Sequence, residues 1–196
     1  MVTPSRRRSQ VIDESLVAQA RSGDPVALEA LLHAVRPDVM RRCSRVLPLH
    51  QDAEDAAQEA LLTIATRLDS YDGRGSFAGW VAAVATNTAR AAYRTMRRRA
   101  VESGSAEPPE RADPRTTSVV AGTRLDVLEA LDRLEHDHPA AVRAFVLRDL
   151  AELSYADVAA QLDVPVGTVK ARIHTARRHV RENLRPADNF SSAPRI

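Results

Sequence analysis

Cysteine is nearly absent from this chain of 196 residues: Cys43 stands alone. A single thiol excludes an internal disulfide and a cysteine-based metal cluster. Its position on a helical pattern predicts a half-buried side chain. Aromatic residues are only 4% of the chain. With Ala, Leu and Val left to build the interior, helix-on-helix packing is favoured over a β-sandwich. No segment alternates apolar and polar residues as a strand would, and no glycine-rich phosphate loop follows a strand. No apolar run approaches the length of a membrane span. Arg6, Arg7 and Arg8 have no apolar segment behind them, so the first residues do not read as a secretory signal. A cytoplasmic protein is expected.

Catalytic patterns are missing too. No serine, cysteine or histidine arrangement pairs a nucleophile with a base. His136 and His138 flank Asp137 without further ligands nearby, and the acids between 52 and 59 lack the spacing of a calcium loop. The expectation is a protein that is not an enzyme and needs no cofactor and no metal. The net charge is only +2. Yet the basic residues gather near 90–99 and 168–185, and that distribution points to a polyanionic partner.

The most informative stretch is Ser154 to Arg185. Ser154 to Leu162 predicts a short helix with Val158, Ala159 and Leu162 on one face. Asp163 to Gly167 interrupts it, with Pro165 and Gly167 as breakers. Thr168 is expected to cap a second helix. There Val169, Ile173, Ala176, Val180 and Leu184 form one apolar stripe. The opposite side carries Ala171, His174, Thr175 and Arg178. The flanks carry Lys170, Arg177 and Arg181, and Arg172 and His179. Between Val164 and Arg185 the only acid is Glu182. A short helix, a tight turn and a cationic second helix make a helix-turn-helix pattern. Its cations suit phosphates and its outward face suits base edges. A basic, solvated helix in a bundle would share much of that pattern.

Ahead of it, residues 1–12 read as a mobile basic tail. Asp13 to Arg21 is a short helix with Leu16, Val17 and Ala20 inward. Asp24 and Pro25 start the next, as cap and first helical residue. It carries Leu28, Leu31, Leu32 and Val35, meets a kink at Pro37 and resumes through Cys43 to Leu47. Asp52 to Leu68 predicts a third helix. Its acids Asp52, Glu54, Asp55 and Glu59, with Gln58 beside them, favour the positive helix end. They also form an exposed acidic face suited to docking a protein. Phe77 to Arg99 predicts a fourth helix, where Phe77, Trp80, Val81 and Val84 share a side and Arg90, Tyr93, Arg94 and Arg97 follow. Trp80 reads first as a core residue; the arginines beside Tyr93 favour nucleic acid.

Residues 100–121 form a polar linker with Pro108, Pro109 and Pro114 and mostly negative charge. Gly122 to Leu134 is helical, with Leu125, Leu128, Ala130 and Leu131 inward, and Pro139 starts another helix through Leu150. Residues 186–196 read as a polar tail. The expected fold is all-α: two small helical domains, 13–99 and 122–185, joined by a flexible linker, the second a helix-turn-helix.

Three segments together resemble the sigma-70 family of bacterial transcription initiation factors, in its small extracytoplasmic-function (ECF) group. Asp52 to Leu62 resembles the acidic segment of region 2. Gly75, Ser76, Phe77, Trp80, Ala85 and Asn87 resemble its promoter-melting segment. Leu153 to Arg177 resembles the region 4 helix-turn-helix. The resemblance implies that Asp52, Glu54, Asp55, Gln58 and Glu59 bind core RNA polymerase at the β′ clamp helices. It implies that Phe77, Trp80, Asn87, Arg90, Arg94 and Arg97 meet the −10 element, with Asn87 at the pocket for a flipped base. It implies that Thr168, Lys170, Ala171, Arg172, His174, Thr175, Arg177 and Arg178 meet the −35 element. The β flap and a separate anti-sigma factor are the further partners implied. Many relatives carry an arginine at Thr175, a small hydroxyl residue at Ala171, and polar or basic residues at Ala78, Gly79 and Ala83. The other readings are a stand-alone helix-turn-helix regulator and a helical adaptor that binds protein only.

Overall fold

The computed structural model describes residues 12–102 and 118–184, with side chains from Asp126 in the second segment. The expected tails and most of the expected linker lie outside the described residues. What is described is all helical, as its composition requires. Eight α-helices occur there: α1 (Glu14–Arg21), α2 (Pro25–Val46), α3 (His50–Thr66), α4 (Phe77–Glu102), α5 (Ser118–Asp137), α6 (Pro139–Phe145), α7 (Tyr155–Leu162) and α8 (Val166–Asn183). A 3-10 turn, Leu68–Ser70, follows α3, and a π-helical turn, Val146–Leu150, follows α6.

The front bundle starts where its caps put it. Asp13 accepts from Ser15 N at 2.9 Å, and Asp24 accepts from Val26 N at 2.9 Å with Pro25 at the first helical position. Helices α2, α3 and α4 pack on one another and α1 packs on α2. Their interior holds Leu31, Val35, Val39, Ile64, Val81 and Ala85, all essentially without exposure. Alanines at 53, 56, 57 and 60 let α3 approach closely, so the scarcity of aromatics is answered by small side chains. In the rear unit α8 lies against α5, α6 and α7. Val169, Ile173, Ala176 and Val180 are its buried stripe, as the spacing predicts.

Several boundaries differ from expectation, each for a local reason. Pro37 does not divide α2. It sits on the solvent side, where water can satisfy the carbonyl it leaves without a donor. Thr168 is not the cap of α8: Pro165 is, with φ −57° and ψ 146°, and the helix starts at Val166 without a side-chain cap. Helix α4 runs to Glu102 and α5 starts at Ser118, so helix replaces both ends of the expected linker. The third helix stops at Thr66, and Leu68 is buried from the 3-10 turn instead.

The two units also share a core. Ala82 and Ala83 of α4 cluster with Ala144, Leu147, Ala151, Leu153 and Val158 of the rear unit. Leu128 of α5 joins the front cluster beside Tyr93.

Cys43 is fully buried rather than half-buried, its thiol 3.8 Å from the carbonyl of Ala85. Burial pushes the thiol up to about 11. The native protein is expected to resist a thiol reagent at pH 8 and to react once unfolded; rapid modification of the folded chain would contradict this placement.

Candidate nucleic-acid interface

Three surfaces gather the residues singled out by the sequence. The first is the outer ridge of α3. Glu54, Asp55, Gln58 and Glu59 are exposed, and Asp52 is half-buried. Glu54 has a neighbour in His50, at 3.2 Å. Asp55 and Glu59 have no ion-pair partner among the described residues, and Leu62, 64% exposed, continues the ridge. Between α3 and α4 runs a groove of about 380 Å³, bounded by Asp52, Asp55, Glu59, Leu47, Met96 and Arg99. An apolar floor under an acidic rim is chemistry for a cationic helix from a partner.

The second surface is the start and middle of α4. The loop before it turns through Gly73 and Gly75, at φ +81° and +72°, a region open to glycine without strain. Tyr71 donates its hydroxyl to Gly75 O at 3.1 Å and so ties the loop to the helix. The Phe77 ring stacks on Trp80 with centroids 5.7 Å apart, and Tyr71 meets Phe77 edge-on at 5.2 Å. Phe77 is 7% exposed and belongs to the front core. Trp80 is half-buried over it, and Asn87 is exposed further along α4.

The arginines of that helix turn elsewhere. Arg90, only 4% exposed, reaches Asp132 and Glu135 of α5, each at 2.8 Å. Arg94 meets Glu135 at 2.8 Å and Arg97 meets Glu129 at 3.4 Å. Nothing local in the sequence signals these pairs, which join residues more than thirty positions apart.

The third surface is the helix-turn-helix. Ser154 caps α7: its hydroxyl accepts from Asp157 N at 3.0 Å and donates to the Asp157 carboxylate at 2.6 Å. Asp163, at φ +53°, turns the chain out of α7. On α8, Lys170, Ala171, His174, Arg177 and Arg178 are exposed, while Thr168, Arg172 and Thr175 are half-exposed. Lys170, Arg172, Arg178 and Arg181 have no carboxylate partner among the described residues. Arg177 does: its fork meets Asp149 at 2.9 and 2.5 Å, and that hydrogen bond raises its already high pKa. Tyr155 lies under two cations, the Arg148 guanidinium at 4.8 Å and the Lys170 ammonium at 5.9 Å from its centroid. Asp149 and Arg148, which no periodicity singles out, therefore brace the exposed helix from behind.

Comparison with known proteins decides the family. Residues 31–99 match the Sigma-70 region 2 family and residues 124–180 match Sigma-70, region 4. The ECF RNA polymerase sigma-E factor of Escherichia coli K12 is 31% identical over 188 residues, which cover 90% of this chain and 96% of the relative. The chain belongs to the sigma-70 family. It is an RNA polymerase sigma factor of the ECF type, and the stand-alone regulator is not favoured. The Haemophilus influenzae sigma-E factor is 28% identical over 188 residues, 90% of this chain and 97% of the relative. Among solved structures, CnrH in complex with the cytosolic domain of CnrY has a TM-score of 0.51 and 21% identity, over 86% of this chain and 94% of that one. That likeness concerns the fold. No helix among the described residues is long and apolar enough to cross a membrane.

The Ser154 cap offers a direct check on this sigma factor's rear unit. Ser154→Ala removes the acceptor for Asp157 N and is expected to cost about 1 kcal/mol in urea unfolding followed by circular dichroism. An unchanged midpoint would show that the cap contributes nothing.

Proposed function

We propose that the two units divide promoter recognition between them, the front one holding core polymerase and the −10 element, the rear one the −35 element. The observation that supports this most is the separation of charge: unpaired carboxylates line α3 while unpaired cations line α8. A protein binding only DNA has no use for the first, and an adaptor binding only protein has no use for the second.

In this reading Asp52, Glu54, Asp55, Gln58 and Glu59 bind the clamp helices of the polymerase β′ subunit. Asn87 presents an amide to the edge of a base flipped out of the −10 element, where unstacking must be offset by new hydrogen bonds. Trp80 stands beside the opened strand, with Phe77 supporting its ring from the core. Arg90, Arg94 and Arg97 hold strand phosphates once freed from α5. Helix α8 enters the major groove of the −35 element. Lys170, Arg172, Arg177 and Arg178 neutralise phosphates there, and Thr168, Ala171, His174 and Thr175 face the bases. The rear unit also meets the β flap. The chain acts in the cytoplasm as an initiation factor rather than a catalyst. An anti-sigma factor is the further partner in this reading.

Assembly with core polymerase and run-off transcription, on promoters mapped from transcript starts after overexpression, test this directly. Asp55→Lys with Glu59→Lys is expected to lower core affinity roughly tenfold or more through charge reversal; wild-type affinity would remove α3 from the docking surface. Asn87→Ala is expected to slow open-complex formation roughly tenfold, the scale of one lost base-edge pair, with core affinity unchanged. Normal opening by that variant would take Asn87 out of the site.

A further inference from the structure

Of the lysines and arginines on α8, Arg177 alone has a carboxylate partner among the described residues, and that partner is Asp149. We propose that Asp149 is a positioning residue for the −35 element: it holds two donors of Arg177 so that the third nitrogen, Nη1, is presented to a DNA phosphate. This rests on the reading of α8 as the −35 helix and adds the residue that aims one of that helix's contacts.

Charge alone disfavours an acid here. A carboxylate beside a groove-reading helix repels phosphates, and its pairing with Arg177 cancels one of the cations that α8 offers. Stability does not account for the pair either. The Arg177 and Asp149 side chains keep 44% and 22% of their exposure, and an ion pair so open to water adds little. Geometry does account for it. Asp149 accepts from Nε at one carboxylate oxygen and from Nη2 at the other, a two-point fork that fixes the plane of the guanidinium. Nη1 lies outside that fork, and no other carboxylate among the described residues meets Arg177. An unrestrained arginine gives up the freedom of a long side chain when it grips a phosphate. One already held in a fork has little left to lose.

The base of the fork is itself fixed. Asp149 belongs to the π-helical turn, 28 positions before Arg177. Beside it Arg148 donates from Nη1 to the Leu153 carbonyl at 2.8 Å and lies over the Tyr155 ring. The Lys170 ammonium faces the same ring. Lys170 and Arg177 stand about two turns apart on one flank of α8. That flank is therefore held at two points, by Tyr155 at Lys170 and by Asp149 at Arg177, while both cations stay exposed. Tyr155 also lies close enough to Arg177 to favour its charge.

The test uses holoenzyme assembled from core polymerase and the full chain. Its DNA is a mapped promoter duplex, either long enough to include the −35 segment or ending downstream of it. Affinity is read across a series of salt concentrations. Asp149→Asn keeps the size of the side chain and removes its charge. It is expected to weaken binding of the long duplex roughly tenfold, the scale of one charge-assisted contact, and to make the salt dependence shallower by about one. Asp149→Glu should recover part of both. Arg177→Ala should show the same loss, and adding Asp149→Asn to it should cost nothing further, because Asp149 acts through Arg177. None of these variants should alter binding of the short duplex. Tighter or unchanged binding of the long duplex by Asp149→Asn overturns the proposal, since an acid that only repels DNA behaves that way. A further loss in the double variant overturns it too. So does weaker binding at unchanged salt dependence, the mark of a support for the fold rather than an aimed phosphate contact. Equal binding of the long and short duplexes by the wild-type holoenzyme would instead locate the fault in the reading of α8.

Discussion

A guanidinium that keeps about a twentieth of its surface has given up water and needs partners for its charge, and Arg90 is such a group. Burying an unpaired charge costs several kcal/mol even after relaxation, so its position is tolerable only while Asp132 and Glu135 stand beside it. Those carboxylates come from another unit of the chain, separated by more than forty residues. The pairing therefore ties the placement of α5 to that of α4. A buried ion pair is weak as a source of stability. It is strong as a constraint on arrangement, because losing one member leaves the other uncompensated.

Helix α4 carries the consequence. An ordinary amphipathic helix shows one buried stripe. This one buries Val81, Ala85 and Ala89 toward the front bundle, and Gly79, Ala82, Ala83 and Arg90 on further sides. Its apolar pattern is broad because it serves two cores. That is also why it can hold Trp80 and Asn87 at an edge: both lie where one packed face gives way to solvent.

The elements were largely legible in the sequence, because caps and periodicity are local. Asp13, Asp24, Pro25 and Ser154 start helices where their chemistry says they should, and the apolar stripe of α8 is buried residue for residue. The acidic ridge of α3 is exposed, as its composition implied. Thr168 misled because a threonine before an apolar stripe resembles a cap, while the fixed φ of Pro165 and an extended ψ already start the helix. Phe77 and Trp80 share a side as the helical spacing says, and only packing separates the core ring from the one near solvent. The pairings of Arg90, Arg94 and Arg97 were out of reach altogether. They depend on where α5 comes to rest, and no window along the chain contains that information. Cys43 is more enclosed than its helix suggested because α4 lies directly over it.

The widened turn at Val146–Leu150 sets the aim of everything after it. There the Ala151 amide reaches back five residues, to Val146 O at 2.8 Å, and the Leu153 amide reaches six, to Leu147 O at 3.0 Å. The slack places Leu147, Ala151 and Leu153 together against α4. Glu152, at φ +57°, then turns the chain out of the helix, so the length of this turn fixes where α7 and α8 begin. With one residue more or fewer, α8 would take a new heading while keeping every side chain it has now, so insertions and deletions here alter where the protein points before they alter what it can touch.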